Sequence, residues 1–306
     1  MRKLALHLVL LASSGMMFAP AMAQQDPMYS QYMFNTLAFN PAYAGSADVF
    51  TAMALTRHQW VGFDGAPATQ TLSAHSPLPG DKLSLGGILI HDVAGPLVQN
   101  SAFVDLAYRI RTGARTRLSF GVSGGVDFLQ ADLASLTTVD ADPHNANIEG
   151  KPLPNVGFGI YWHSSRYYVG FSAPKLLENT IGDDGAVTTA RELRHWFLMG
   201  GYVMDISEDF KFKPSIMLRA VAGAPLSLDL NANFLVRDRI WFGALYRFGN
   251  AFGVMAQYQV NEQLKIGYAF DMTTTRLGAY NAGTHELMLG YDFSFTKGRT
   301  SSPRYF

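Results

Sequence analysis

The chain has 306 residues, no cysteine and a formal net charge of zero. That excludes a disulfide framework, a thiolate metal site and a lipid-anchored N-terminal cysteine, and it argues against nucleic acid as a partner. Charged residues are only 16 %, well below the ~25 % of ordinary soluble domains, while aromatics reach 13 % and glycines number 29.

Residues 1–23 read as an export signal. Arg2 and Lys3 supply the positive end, Leu4 to Phe18 is mostly apolar, and Ala21-Met22-Ala23 is a small-x-small cleavage site. No later stretch approaches the ~18 apolar residues of a helical membrane span. An exported chain of this kind is either soluble outside the cytoplasm or an outer-membrane barrel.

Residues 24–46 form a distinct N-terminal segment, expected in the periplasm or as a plug. Tyr29, Tyr32, Met33, Thr36 and Leu37 fall at helical spacing, which predicts a short helix ended by Pro41.

From Ala47 to the C-terminus, hydrophobicity alternates with period two. Phe50, Ala52, Ala54 and Thr56 share a face, as do Leu83, Leu85, Gly87 and Leu89. Ala102, Val104, Leu106, Tyr108 and Ile110 oppose Ser101, Phe103, Asp105, Ala107 and Arg109; Leu264, Ile266, Tyr268 and Phe270 oppose Lys265, Gly267, Ala269 and Asp271. Each segment is about ten residues long, as a tilted membrane strand requires, and about fourteen such segments are present, an even number. Aromatics gather near segment ends on the apolar face, as an interfacial girdle needs. Connections alternate in length: Pro77–Asp81, Arg111–Ala114 and Ser164-Ser165 are short, whereas His58–Ala68, Leu129–Pro154, Pro174–Ala190 and Thr273–Ala282 are long. The prediction is an all-β fold: a transmembrane, antiparallel, up-and-down β-barrel over 47–306, with short periplasmic turns. Lys211, Lys213, Arg219, Asp229, Arg239, Arg247, Lys265, Asp271, Glu286 and Asp292 fall on the polar face, and their mixed signs suit pairing across a filled lumen better than a charge-selective pore.

Catalytic signals are weak. His75 with Ser73, His91 with Asp92, and His144 with Asp140 and Asp142 are the nearest candidates, but adjacent strand residues point to opposite faces, and no nucleophile–base geometry is legible. Gly182-Asp-Asp-Gly185 reads as a turn. Gly121 to Gly125 sits mid-strand, where small residues relieve crowding in the lumen. No enzyme activity and no cofactor or metal is expected.

The run QQDPMYSQYMFNTLAFNPAYAGS, followed by RHQWVGFDGAPATQTLSAHSPL, resembles the N-terminal signature of the PorP/SprF family of Bacteroidetes outer-membrane proteins. Tyr32, Met33, Asn35, Asn40, Pro41, Ala42, Tyr43, Ala44, Gly45, Arg57, Gln59, Trp60 and Gly62 carry it. The resemblance implies an outer-membrane component or accessory of the type IX secretion and gliding machinery. Its partners would be a secreted adhesin or other cargo with a type IX C-terminal domain, periplasmic ring or peptidoglycan-binding components, and outer-membrane lipid. Tyr32, Asn35, Asn40, Tyr43 and Trp60 are the candidate partner-binding residues. A channel for small solutes is the alternative.

Overall fold

Fourteen antiparallel strands close into one barrel. The computed structural model describes residues 27–135, 147–181, 191–293 and 305. The expected export signal, Asp140, Asp142 and His144, and the turn at 182–185 lie outside them. β1 is Phe50–His58, β2 Ala68–Pro77, β3 Leu83–Ala94, β4 Leu97–Arg111 and β5 Arg117–Ala131. β6 is Ile148–His163, β7 Tyr167–Ala173 and β8 His195–Tyr202, whose pairing resumes at Met204–Asp205 after a break at Val203. β9 is Phe210–Val221, β10 Ser227–Val236, β11 Ile240–Arg247, β12 Ala251–Gln259, β13 Leu264–Thr273 and β14 Thr284–Phe293. Each strand pairs with its sequence neighbours, and β1 pairs with β14 from Phe50↔Phe293 to His58↔His285. Closure leaves no free end strand, which hydrocarbon would penalise by several kcal/mol per unpaired backbone group.

The alternation sorts the two faces. Val104, Val122, Leu89 and Leu72 are exposed on the outside, while Asp105, Ser119, Asp127, Asn155 and Asn233 are buried inside. No helix among the described residues is long and apolar enough to span a membrane; the crossing is made by strands. Residues 59–67, 132–147, 174–194 and 274–283 connect strands at one end, and shorter turns such as 78–82, 112–116 and 164–166 connect them at the other. In outer-membrane barrels the short turns face the periplasm.

Two expectations need correction. The first concerns the loop assigned to Leu129–Pro154, much of which is strand, since β5 runs to Ala131 and β6 starts at Ile148. Pro152 and Pro154 misled, because proline is confined to sheet edges and bulges. The side of β6 they share with Val156 faces no ladder partner. It faces the 174–181 segment, where Leu176 N–H donates to Val156 O (2.8 Å) and Asn179 Nδ2 to Pro154 O (3.0 Å). β7 is short enough to leave that edge open.

The second concerns the N-terminal helix. Residues 30–34 form a turn, followed by two 3-10 turns at Thr36–Ala38 and Pro41–Tyr43. Pro41 begins the second turn rather than ending a helix: Asn40 caps it, its Oδ1 accepting from Ala42 N–H at 2.9 Å, and proline suits the first helical position. Helices this short depend on packing, and here the packing surrounds the chain on every side.

Candidate functional site

The N-terminal segment lies inside the barrel. Tyr29, Tyr32, Met33, Phe39, Ala42 and Tyr43 are buried in one cluster with inward side chains of the wall, among them Met53, Tyr161, Phe197, Met217 and Leu245. The segment descends from the long-loop end to the short-turn end and then feeds β1.

It is fastened at three levels. Nearest the long loops, β1, β13 and β14 bring Arg57, Asp271 and Glu286 together. Arg57 and Glu286 are direct cross-strand partners, and the guanidinium binds Glu286 at 3.0 Å and Asp271 at 3.1 Å. One cation for two buried carboxylates leaves acceptors to satisfy, and the segment supplies the donors. Ser30 N–H and Gln31 N–H each reach Glu286 at 2.9 Å. Ser30 Oγ donates to Asp271 and accepts from Arg57 Nη1 at 2.8 Å. Beside this, Tyr29 OH meets Thr71 Oγ1 at 2.6 Å.

At mid-height the wall approaches backbone to backbone. Asn40 Nδ2 donates to Ile160 O (3.0 Å), and Ser172 Oγ donates to Phe39 O (2.7 Å). A Cβ on Gly121 would overlap Ala42 N, and one on Gly159 would overlap the Asn40 amide. These two glycines make room for the segment. On the opposite wall, buried Lys213 stands 4.6 Å from the Phe34 ring centroid and 4.5 Å from that of Trp241, a cation–π arrangement, and donates to Tyr305 O at 2.6 Å.

At the short-turn end, Asp48 accepts from Arg109 (2.6 Å) and Arg117 (2.5 Å), and Arg109 also reaches Gly45 O (2.5 Å). Partial burial works to raise the Asp48 pKa, but the hydrogen bonds from Arg117 and Arg109 outweigh it and hold the carboxyl below its ordinary value. A cavity of about 350 Å³ opens here, lined by Phe34, Tyr43, Ser73, Trp241, Lys265 and Asp292.

Tyr32, Asn35, Asn40 and Tyr43 therefore come together in the lumen. Tyr43 packs edge-on against His75 and Tyr161, and Asn35 accepts from Ser73 Oγ at 3.3 Å. Trp60 does not join them. It lies in the 59–67 loop at the other end of β1, its N–H donating to Thr284 Oγ1 at 3.3 Å. The histidine candidates are otherwise engaged: His75 Nδ1 accepts from Gly45 N–H (3.1 Å), His91 meets Asn100 (2.7 Å), and Asp92 accepts from Thr69 Oγ1 (2.5 Å).

Sequence reasoning placed Asp271 and Glu286 on the inner face but missed their convergence with Arg57 and Ser30. Parity along β1 sets Arg57 inward; no spacing announces partners more than two hundred residues away. Among the charges assigned to the polar face, Arg247 pairs with Asp229 at 2.9 Å and Lys265 with Asp292 at 3.2 Å, and buried Asp127 pairs with Lys175 at 2.9 Å, whereas Lys213 meets the Tyr305 carbonyl and Arg239 is exposed at a short turn.

An apolar exterior, a closed ladder and a lumen occupied by the chain's own N-terminal segment define an outer-membrane β-barrel with an internal occupant. The chain matches the family described as "Type IX secretion system membrane protein PorP/SprF" over residues 21–291, and it belongs to that family. Its role is in type IX secretion at the membrane. No curated protein matches. Among solved structures it is similar to a Pseudomonas aeruginosa FadL homologue (12 % identity, TM-score 0.47, covering 90 % of this chain and 96 % of that one). It is also similar to the CymD monoaromatic hydrocarbon channel (12 %, 0.49, 87 % and 93 %) and to the KdgM porin (10 %, 0.38, 80 % and 99 %).

Proposed function

We propose that this barrel serves type IX secretion as a plugged docking component rather than as a conduit. The observation that carries the reading is the threefold fastening of residues 30–48 within the lumen. A cargo route through the barrel would have to break buried ion pairs and evict a cluster of aromatics, each contributing about 1.5–3 kcal/mol by burial. Secreted cargo, an adhesin with a type IX C-terminal domain, would meet the long-loop end. There Val61 N–H donates to Gly283 O (2.9 Å) and Ala282 N–H to Val61 O (2.8 Å), joining two loops into a rim that exposes Val61, Phe63 and Tyr280 beside Trp60. Periplasmic ring or peptidoglycan-binding components would meet the short turns. In this reading Tyr32, Asn35, Asn40 and Tyr43 act by holding the segment, and cargo contact is assigned to Trp60 because it lies in the long-loop rim. Export through a cleaved signal and a part in gliding belong to the same proposal.

The test is conductance together with cargo display. Purified full-length protein in planar bilayers should be silent, deletion of Gln25–Leu37 should open it, and Trp60→Ala should reduce surface retention of cargo while leaving the barrel folded. Steady open-pore conductance by the intact protein would favour the channel alternative.

A further inference from the structure

The cavity of about 350 Å³ at the short-turn end falls at the lower end of ordinary ligand pockets. Its wall is made by inward-facing strand positions: Ser73 on β2, Trp241 on β11, Gln257 on β12, Lys265 on β13 and Asp292 on β14. Phe34, Asn35 and Tyr43 of the lumen segment complete the lining. Asp238 and Arg239 of the β10–β11 turn and Glu262 of the β12–β13 turn stand at its mouth.

Two features of this cavity match a peptide. The first is that a main-chain carbonyl of the chain itself already sits there. Tyr305 lines the cavity, and its carbonyl accepts from Lys213 Nζ at 2.6 Å. Lys213 is fully buried, and the ring faces of Phe34 and Trp241, at 4.6 Å and 4.5 Å, hold its ammonium in place. The Tyr305 ring faces the Lys211 ammonium, 5.5 Å from the centroid, and Asp238 steadies Lys211 at 2.7 Å. The second feature is a leftover donor and a leftover acceptor. Asn35 and Gln257 are 2 % and 5 % exposed, yet Asn35 Nδ2 and Gln257 Oε1 have no hydrogen-bond partner among the described residues. Buried polar groups of this kind are costly until they are met. A peptide bond offers a carbonyl to the first and an N–H to the second. An inorganic anion offers acceptors alone and would leave Gln257 Oε1 unmet.

We infer that this cavity is a peptide-docking site, which Tyr305 occupies in cis and an extended, aromatic-bearing segment of a periplasmic partner takes in trans. Lys213 receives a main-chain carbonyl, Lys211 faces the aromatic ring, and Asn35 and Gln257 meet a neighbouring peptide bond. An occupant tethered to the barrel competes at a high effective concentration, so a partner enters only by binding better than Tyr305 does. The partner in trans rests on the reading that periplasmic components meet the short turns. The site itself does not, and it stands whether the lumen is closed or conducts.

The experiment is fluorescence anisotropy with a labelled peptide of residues 297–306, KGRTSSPRYF, added to the full-length barrel in neutral detergent. The wild type should bind it weakly, because Tyr305 competes. Tyr305→Ala should bind it more tightly by roughly tenfold or more, as expected when a tethered competitor is weakened. Adding Lys213→Met to Tyr305→Ala should abolish that gain. Gln257→Leu in the same background should weaken binding less, and Asp81→Asn on another short turn should leave it unchanged. Heat-modifiable mobility on gels confirms that each variant is folded. Peptide binding is read without conductance or cargo display, so this inference and the docking reading can fail separately. No binding to Tyr305→Ala, equal binding by the wild type and Tyr305→Ala, or binding undiminished by Lys213→Met would each overturn the inference.

Discussion

The two ends of the lumen segment are fastened by the same chemistry in different surroundings. At the long-loop end, Arg57, Asp271 and Glu286 are each no more than 4 % exposed by side chain, whereas Asp48 at the short-turn end is 40 % exposed. In the first, a carboxylate that loses its partner stays buried; in the second, water can reach Asp48 in place of an arginine, although Arg109 itself is only 4 % exposed. Truncating one member of a buried pair costs about 3–5 kcal/mol, whereas an exposed pair is worth about 0–1 kcal/mol. The deep anchor thus decides whether the segment stays, and the shallow one sets how its last residues lie.

The largest effect should come from Arg57→Ala, which strands two buried carboxylates. A loss of about 3–5 kcal/mol is expected, read as a lower denaturation midpoint and as conductance in planar bilayers. Neutralising the whole group with Arg57→Met/Asp271→Asn/Glu286→Gln should recover part of it, because no charge is left buried and the Gln carbonyl at 286 keeps one of the two oxygens that Ser30 and Gln31 N–H use. If the triple variant is no better than Arg57→Ala alone, buried charge is not what makes this end dominant.

Next comes Gly159→Val at mid-height. The new side chain would occupy the space of the Asn40 amide, and overpacking of this kind costs about 1–3 kcal/mol. The barrel ladder should survive while the segment shifts, so protease cleavage within residues 30–45 should rise with heat-modifiable mobility unchanged. An unaltered cleavage pattern would show that the mid-level contact is slack. Tyr29→Phe should matter less, since it removes only the hydroxyl bonded to Thr71 Oγ1 and costs about 1 kcal/mol. A midpoint equal to that of the wild type would place Tyr29 outside the deep anchor.

The wall was legible because a strand has a single period and a membrane a single sign of preference. The alternation along β4 and β13 put Asp105, Arg109 and Asp271 inward, and the structure keeps them there. The segment was less legible. Tyr29, Tyr32, Met33 and Leu37 look amphipathic by spacing, yet the lumen encloses them all round and leaves no polar face. Ser30 looks like an ordinary turn residue; its importance comes from Arg57 and Asp271, which the closure of β14 on β1 brings to it. Pro152 and Pro154 argued against a strand only because the open edge of β6 is a tertiary fact. Local period was readable, and contacts made by closure were not.

The smallest expected effect tests the shallow anchor through pH. Arg117 and Arg109 hold the Asp48 carboxyl below its ordinary pKa in the folded state. Its contribution is therefore complete above the unfolded carboxylate value of ~3.9 and is lost as pH falls through the lower folded value. Between neutral pH and about 5 the hold of Asp48 on the two arginines should not change. Below about 4, protection of the Gly45 and Ser46 amides against exchange should fall as Asp48 takes up a proton and Arg109 loses a partner. Asp48→Asn should show the lowered protection already at neutral pH, with a stability loss smaller than that of Arg57→Ala, because Arg117 is partly exposed while Arg109 is not. If Ser30 and Gln31 open first on acidification, the order of the two anchors is reversed, and the deep group is the one that gives way.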